Sequence, residues 1–186
     1  MEKLLIKDLY KELHSNKIQL LKPTLTASPF YRKAFSHNSI WKNISTFLIS
    51  EKHIQHKIEK YTSLIDSNKG MFWNIFHNNN PVGVISLHNW DDENKKAEIG
   101  YWILPEFGNN GIISETIQMI LSFAFKNNLL NRIEAIVYEN NLASNNVITK
   151  NRFKKEALQR ELLNVRGVFT NVYLYSILKK EWKEQE

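Results

Sequence analysis

The chain has 186 residues and a mass of 22.0 kDa, a length that suits one domain. Hydrophobic residues make up 42% and charged residues 24%, a balance that sets aside a disordered or fibrous chain. There is no cysteine, which excludes disulfides, thiolate metal sites and a cysteine nucleophile, and the formal net charge is +6.

That charge is unevenly spread. The first 70 residues hold 12 Lys/Arg against 6 Asp/Glu, and the remainder carries 13 of each. Such a segment can attract RNA or an acidic partner, or it can be a set of solvated helix faces; no aromatic-basic stacking motif accompanies the lysines. The start, Met1-Glu2-Lys3-Leu4-Leu5-Ile6-Lys7-Asp8, meets charge too soon for a signal peptide, and no apolar run approaches the ~20 residues of a membrane span. The expectation is a cytoplasmic protein with no membrane association.

Leu5, Leu9 and Leu13 recur every four residues and predict a helix over residues 2–14, whose stripe either covers the chain's own core or docks on a second subunit. Lys17–Leu21 reads as a strand ended by Pro23. Helices follow around Pro29–Ser36 and Glu51–Asp66, the second closed by Asn68 and Gly70. The period then changes, and Met71–Phe76, Val82–Leu87 and Ala97–Leu104 read as strands separated by polar turns. Phe72, Trp73 and Phe76 alternate poorly, which suits a strand buried on both faces. A helix from Ile113 to about Asn127 carries one apolar stripe; Arg132–Tyr138 is a strand and Ala143–Asn151 a short helix. Phe153–Leu163 and Phe169–Leu178 form a hairpin about Asn164–Gly167. The order describes a mixed α/β (α+β) fold, neither a bundle nor a sandwich.

The chemistry concentrates at Tyr101-Trp102-Ile103-Leu104-Pro105-Glu106-Phe107-Gly108-Asn109-Asn110-Gly111-Ile112-Ile113-Ser114-Glu115, which runs from strand through a glycine-bracketed loop into a helix. Unpartnered N–H groups at a helix start can hold a phosphate. The loop lacks the Gly-Lys-Ser/Thr ending of a P-loop and the three-glycine dinucleotide fingerprint, so nucleotide hydrolysis and hydride transfer fit poorly. Alone, it is equally a plain turn before a core helix.

Together with Glu98-Ile99-Gly100-Tyr101-Trp102-Ile103, Asn141-Leu142-Ala143-Ser144, Lys150-Asn151-Arg152-Phe153 and the closing Tyr173–Trp182, the segment resembles the GNAT acetyltransferases, in particular their ribosomal-protein N-acetyltransferase (RimJ/RimL-type) branch. The resemblance covers residues 17–182 in element order. It implies a central splayed mixed sheet of about seven strands flanked by helices, in one acetyltransferase domain over residues 1–186. It also implies acetyl-coenzyme A as co-substrate, bound between the fourth and fifth strands without a metal. Backbone amides of Gly108, Asn109, Asn110, Gly111, Ile112, Ile113 and Ser114 would then hold the pyrophosphate, and the edge of Trp102, Ile103 and Leu104 would pair with the pantetheine arm. Asn141 would meet the pantetheine or the loop, Ser144 would lie near the thioester sulfur, and Lys150 belongs to the same set. Three positions depart from the family pattern. Ile113 stands where a small residue is usual, and either crowds the pyrophosphate or packs into the core in phase with Ile117. Arg152 stands where the family has glycine, and Glu156-Ala157 replaces Glu-Gly.

Without a cysteine, transfer is direct: a neutral amine attacks the thioester. Deprotonation at pH 7 costs only about 1 kcal/mol for an α-amine but about 4.6 kcal/mol for a lysine side chain, so a base matters more for lysine. Glu98 is the candidate base by position, or else a solvent-facing strand carboxylate; Glu161 is a second, or else a cross-strand partner of a basic residue. Ser144 is the candidate for steadying the leaving thiolate and Tyr138 an alternative acid, against readings as a helix-start polar residue and a core tyrosine. His53 and His56, three apart, and Asp91-Asp92-Glu93 lack the further ligands of a metal site. The expected partner is a small-molecule or peptide amine, a ribosomal protein among the possibilities, for a monomer or homodimer. Two other readings stand beside the enzyme: a coenzyme A-binding module without turnover, and a basic RNA- or ribosome-associated protein.

Overall fold

The structure, a computed structural model, describes residues 5–37, 40 and 50–182. In chain order the elements are α1 (Ile6–Leu9), β1 (Leu13–His14), β2 (Ile18–Leu21), α2 (Ser28–Ser36), α3 (Glu51–Asp66), β3 (Gly70–His77), β4 (Asn80–Asp91) and β5 (Lys96–Ile103). Then come α4 (Ile112–Lys126), β6 (Arg132–Tyr138), α5 (Leu142–Lys150), β7 (Lys154–Val165) and β8 (Val168–Leu178). The strands form one mixed sheet in the order β1-β2-β3-β4-β5-β6-β8-β7. Every pairing is antiparallel except β5 with β6.

Helices cover both faces because alternate residues of the central strands are apolar on both sides. Trp73, Ile85, Ile99 and Ile133 pack under Ile117, Ile120 and Leu121 of α4. Phe72, Val84 and Leu104 pack on the opposite face under Phe30, Tyr31, Ile54 and Ile58 of α2 and α3. Adjacent residues Phe72 and Trp73 therefore serve different cores, as their poor alternation requires.

The N-terminal helix is shorter than its leucine spacing predicts. Tyr10 is already extended, with ψ at 130°, and its ring stacks on Trp73 at 5.3 Å while its hydroxyl donates to Phe72 O at 3.0 Å. Leu13 joins β1, pairing with Leu20, and supplies the eighth strand. Tertiary burial outweighs local periodicity here, since a four-residue helix has little stability of its own. Leu9, Tyr10 and Leu13 pack against the chain's own core.

Between β6, β7 and β8, Arg132 donates from Nη1 to Glu156 Oε1 at 3.0 Å and also pairs through Nη2, while Ser176 Oγ donates to Glu156 at 2.6 Å. The Arg132 guanidinium, then Ser176, holds the Glu156 carboxyl down at about 2. A depressed carboxyl stabilises the fold above its unfolded value and loses that contribution as pH falls towards 2. Glu156→Gln is expected to cost roughly 1 kcal/mol at pH 7, discounted for the pair's exposure. Denaturant titrations of the two proteins should converge as pH is lowered from about 4.5 towards 2.

Arg152 follows α5 with φ at 66°, the left-handed conformation that glycine adopts without penalty. Its side chain is exposed. Arg152→Gly is expected to raise stability by about 1 kcal/mol, read as a higher denaturation midpoint at unchanged slope.

Candidate functional site

The parallel pair β5–β6 is short. Lys96, Ala97 and Glu98 align with Arg132, Ile133 and Glu134, and there the pairing stops. Past that point β5 stays bonded to β4 up to Ile103, and β6 stays bonded to β8 up to Tyr138, so the two halves of the sheet part. Leu104 N donates to Val82 O at 2.8 Å, and the register from Gly83–Ile103 to His88–Glu98 is uniform. Successive residues of a strand bond to opposite edges. Trp102 therefore bonds to β4, like Leu104, while Tyr101 and Ile103 turn their amides and carbonyls into the gap.

The gap opens into a cleft of about 460 Å³, within the range of small-molecule sites. Its lining joins the β5 wall, the loop from Pro105 to Ser114 and the first turns of α5. Gly111 precedes α4 with φ at +77°, and the first intrahelical bond runs from Glu115 N to Gly111 O at 3.0 Å. The amides of Ile112, Ile113 and Ser114 lie ahead of that bond, at the positive end of a 15-residue helix. Ile113 is 7% exposed and belongs to the core cluster with Ile117, so its side chain packs inward and does not block the loop. Among the described lining residues Lys150 alone is charged. An anion entering here meets helix amides and an ammonium, with no carboxylate opposing it.

On the far wall, Asn141 caps α5, accepting from Ser144 N at 3.2 Å. Asn145 Nδ2 donates to Tyr138 O and Asn141 O, and its Oδ1 accepts from the Tyr175 hydroxyl at 2.7 Å, which fixes the helix start against β6 and β8. Asn151 bonds both Gln118 and Ser114, tying α5 to α4. The Tyr101 hydroxyl crosses the gap to lie 2.9 Å from Ser144 Oγ. Burial pushes the phenol up to about 12.

The cleft thus gathers Trp102, Ile103, Gly108, Asn109, Asn110, Gly111, Ile112, Ile113, Ser114, Asn141, Ser144 and Lys150. Leu104 falls outside it: just past the end of β5 and 1% exposed, it is buried under α2 and α3. Glu98 and Tyr138 also lie outside the lining. Glu98 ends the paired part of β5, on the face opposite Tyr101; its Oε2 accepts from Asn89 at 2.9 Å and its Oε1 is 3.5 Å from His88 Nε2. Tyr138 ends β6, and burial raises its hydroxyl. Glu161 stands exposed in a bulge of β7, its N–H donating to Asn171 Oδ1. Tyr101, Asn145 and Val147 were not singled out by sequence; for Tyr101 the signal was its place in the strand before the glycine loop.

Among the described residues no cluster of His, Asp or Glu could hold a metal, and no helix is long and apolar enough to cross a membrane. His53 donates its N–H to the Ser50 side chain that caps α3, and Asp91 closes its turn through Asn94. The molecule is similar in fold to RimL, a ribosomal L7/L12 alpha-N-protein acetyltransferase solved with coenzyme A: TM-score 0.85, 21% identity, 90% of this chain and 98% of that one. In sequence it is 37% identical over 112 residues to the putative ribosomal N-acetyltransferase YdaF of Bacillus subtilis, spanning 60% of this chain and 61% of that relative. It is 34% identical to the uncharacterized N-acetyltransferase YoaA of the same organism, over 66% of this chain and 70% of that one. The family description "acetyltransferase (GNAT) domain" matches residues 18–154, from the first residue of β2 to the first of β7. A match of that extent, over most of the chain, means that the chain belongs to the GNAT acetyltransferase family.

Proposed function

We propose that the protein transfers an acetyl group from acetyl-coenzyme A directly to a primary amine, with the α-amine of a protein N terminus, a ribosomal protein's above all, as acceptor. The observation that carries this is the parting of β5 from β6 beside the free amides of α4. A strand edge for an amide-bearing arm and a cationic seat for its phosphates share one cleft. The residues fit the coenzyme: Tyr101 and Ile103 offer edge groups to the pantetheine, Ile112–Ser114 offer amides to the pyrophosphate, and Lys150 offers charge. Acetyl-coenzyme A supplies the activated acyl group. The protein supplies orientation, which can be worth about 7–11 kcal/mol in ideal cases.

Glu98 serves as the base, with Asn89 fixing its carboxylate and the imidazole of His88 beside it. Because β5 alternates faces, Glu98 approaches from one side of the sheet and the Tyr101–Ser144 pair from the other. Glu98 lies outside the lining of the cleft and so acts through water, which favours an acceptor that gives up its proton easily, as an α-amine does. The names of the relatives support the ribosomal acceptor.

Calorimetric titration with acetyl-coenzyme A tests the reading at its root, and absence of binding ends it. Free-thiol release over N-terminal peptides, spermidine and aminoglycosides then tests the acceptor, with turnover of the peptides expected; binding without turnover of any amine would leave a coenzyme-binding module instead. Ser144→Ala is expected to lower turnover at least 10-fold with coenzyme affinity held within about two-fold. Unchanged turnover removes Ser144 from the chemistry.

A further inference from the structure

We infer that Tyr101 is a positioning residue for the leaving sulfur: its phenol donates to Ser144 Oγ and so turns the serine O–H into the cleft, towards the thiolate. The inference rests on the acetyl-transfer reading and adds to it a residue and a direction for one proton.

Ser144 lies in the first turn of α5, where, as for Ser114 in α4, the hydroxyl meets a side chain. Serine and threonine inside helices commonly bond a carbonyl three or four residues back. Thr149 does so with Asn145 O at 2.9 Å, and Thr116 with Ile112 O at 2.8 Å. The Ser144 Oγ instead lies across the gap 2.9 Å from the hydroxyl of Tyr101, 43 residues away in sequence, and that phenol also reaches Ser144 O at the longer distance of 3.4 Å. Its own N–H is already given to Asn141, and Asn145 anchors the same turn to β6 and β8. The serine is therefore held on both sides, and the hydroxyl contact with β5 is the remaining freedom.

The acid strengths decide what the pair can do. A phenol near 12 remains protonated throughout the working range, so Tyr101 is available as a donor. It is a weaker acid than a thiol of about 8.5 by a factor of roughly three thousand, so it does not hand its proton over to the sulfur. When it donates to Ser144 Oγ, that oxygen's own hydrogen must point elsewhere, and the open side is the cleft that both residues line. As the nitrogen lone pair forms the C–N bond, the C–S bond breaks and its electron pair goes to sulfur. The surplus proton on nitrogen passes through water to Glu98. The sulfur's charge is met by the Ser144 O–H until water protonates it. A donor already aimed at developing charge needs no reorganisation at that moment.

The test needs no acceptor. Coenzyme A, which carries the free thiol, is bound to the wild-type protein and to Tyr101→Phe, Ser144→Ala and the double variant. Calorimetry gives its affinity, and thiolate absorbance in the ultraviolet gives the pKa of the bound thiol. The wild type is expected to hold that thiol about one unit below its free value. Each single variant raises it, and the double variant lies no higher than Ser144→Ala alone. Ser144→Thr, which keeps a hydroxyl, restores sensitivity to Tyr101→Phe. Failure of the wild type to bind coenzyme A overturns the acetyl-transfer reading and this inference with it. Binding with a thiol indifferent to Tyr101→Phe, or effects that add in the double variant, overturns the inference and leaves the reading intact. Tyr101→Phe keeps the ring, and a thermal melt matching wild type separates a lost hydroxyl from a lost fold.

Discussion

Gly83→Ala is expected to destabilise the protein by about 3 kcal/mol, near the upper end of what an added methylene costs in a packed interior. A Cβ at this position would stand 2.4 Å from Trp102 O, 3.2 Å from Ile103 Cα and 3.3 Å from Ile75 Cδ1. The nearest obstacle is backbone, which cannot swing aside as a side-chain end can. β4 and β5 must separate where β5 also forms the wall of the cleft, so coenzyme affinity should fall along with stability. The melting temperature is expected to drop by about 10 °C for a chain of this length. Gly111→Ala is the contrast. Its φ of +77° is unfavourable for alanine, but nothing lies within 4 Å of the added carbon, so about 1 kcal/mol is the whole cost. Chemical denaturation of the two variants side by side checks the ordering, and equal losses would show that the close approach of β4 to β5 is not what Gly83 serves.

Glu98→Gln is expected to lower turnover about 100-fold, the lower end of what a positioned base contributes, with acetyl-coenzyme A affinity unchanged. Glutamine keeps an oxygen for Asn89 and a similar shape, so the change removes charge and basicity more than geometry. The loss should be larger for a lysine-type amine than for an α-amine, because the first is almost wholly protonated at pH 7 and the second only mostly. Steady-state kinetics on two peptides, one offering each amine, reads the difference. Turnover equal to wild type would return Glu98 to the plainer role of a strand carboxylate beside His88, 3.5 Å away.

The two outcomes bear on different levels of the molecule. Gly83 concerns whether two strands can lie together at all, and its effect passes to the site through the wall of the cleft. Glu98 concerns a single proton and should leave folding nearly untouched.

Long, strongly patterned segments were legible from residues alone. Glu51–Asp66 and Arg132–Tyr138 have the boundaries that apolar periodicity and turn residues assign them, and α4 and β4–β5 agree within a few residues. The glycine-bracketed loop announced a helix start with free amides, and that chemistry is local: it needs only Gly108, Gly111 and the first turn of α4. The phase match between Ile113 and Ile117 likewise pointed to packing, and Ile113 is buried.

What sequence could not contain was any relation between strands. Whether Leu104 or Ile103 faces the gap depends on the register of β5 against β4, and a parity set by a partner 22 residues away leaves no trace in local pattern. Leu5, Leu9 and Leu13 kept a helical spacing, yet Trp73 and Leu20 drew Tyr10 and Leu13 into extended chain, because burial against a formed sheet outweighs the weak propensity of one short segment. The meeting of Tyr101 with Ser144 is of the same kind. Composition and spacing by themselves determined a mixed α/β chain with a glycine-bracketed loop leading into a helix; only the tertiary structure decided which hydroxyls face each other beside it, since that distance exists only once β5 and β6 have parted.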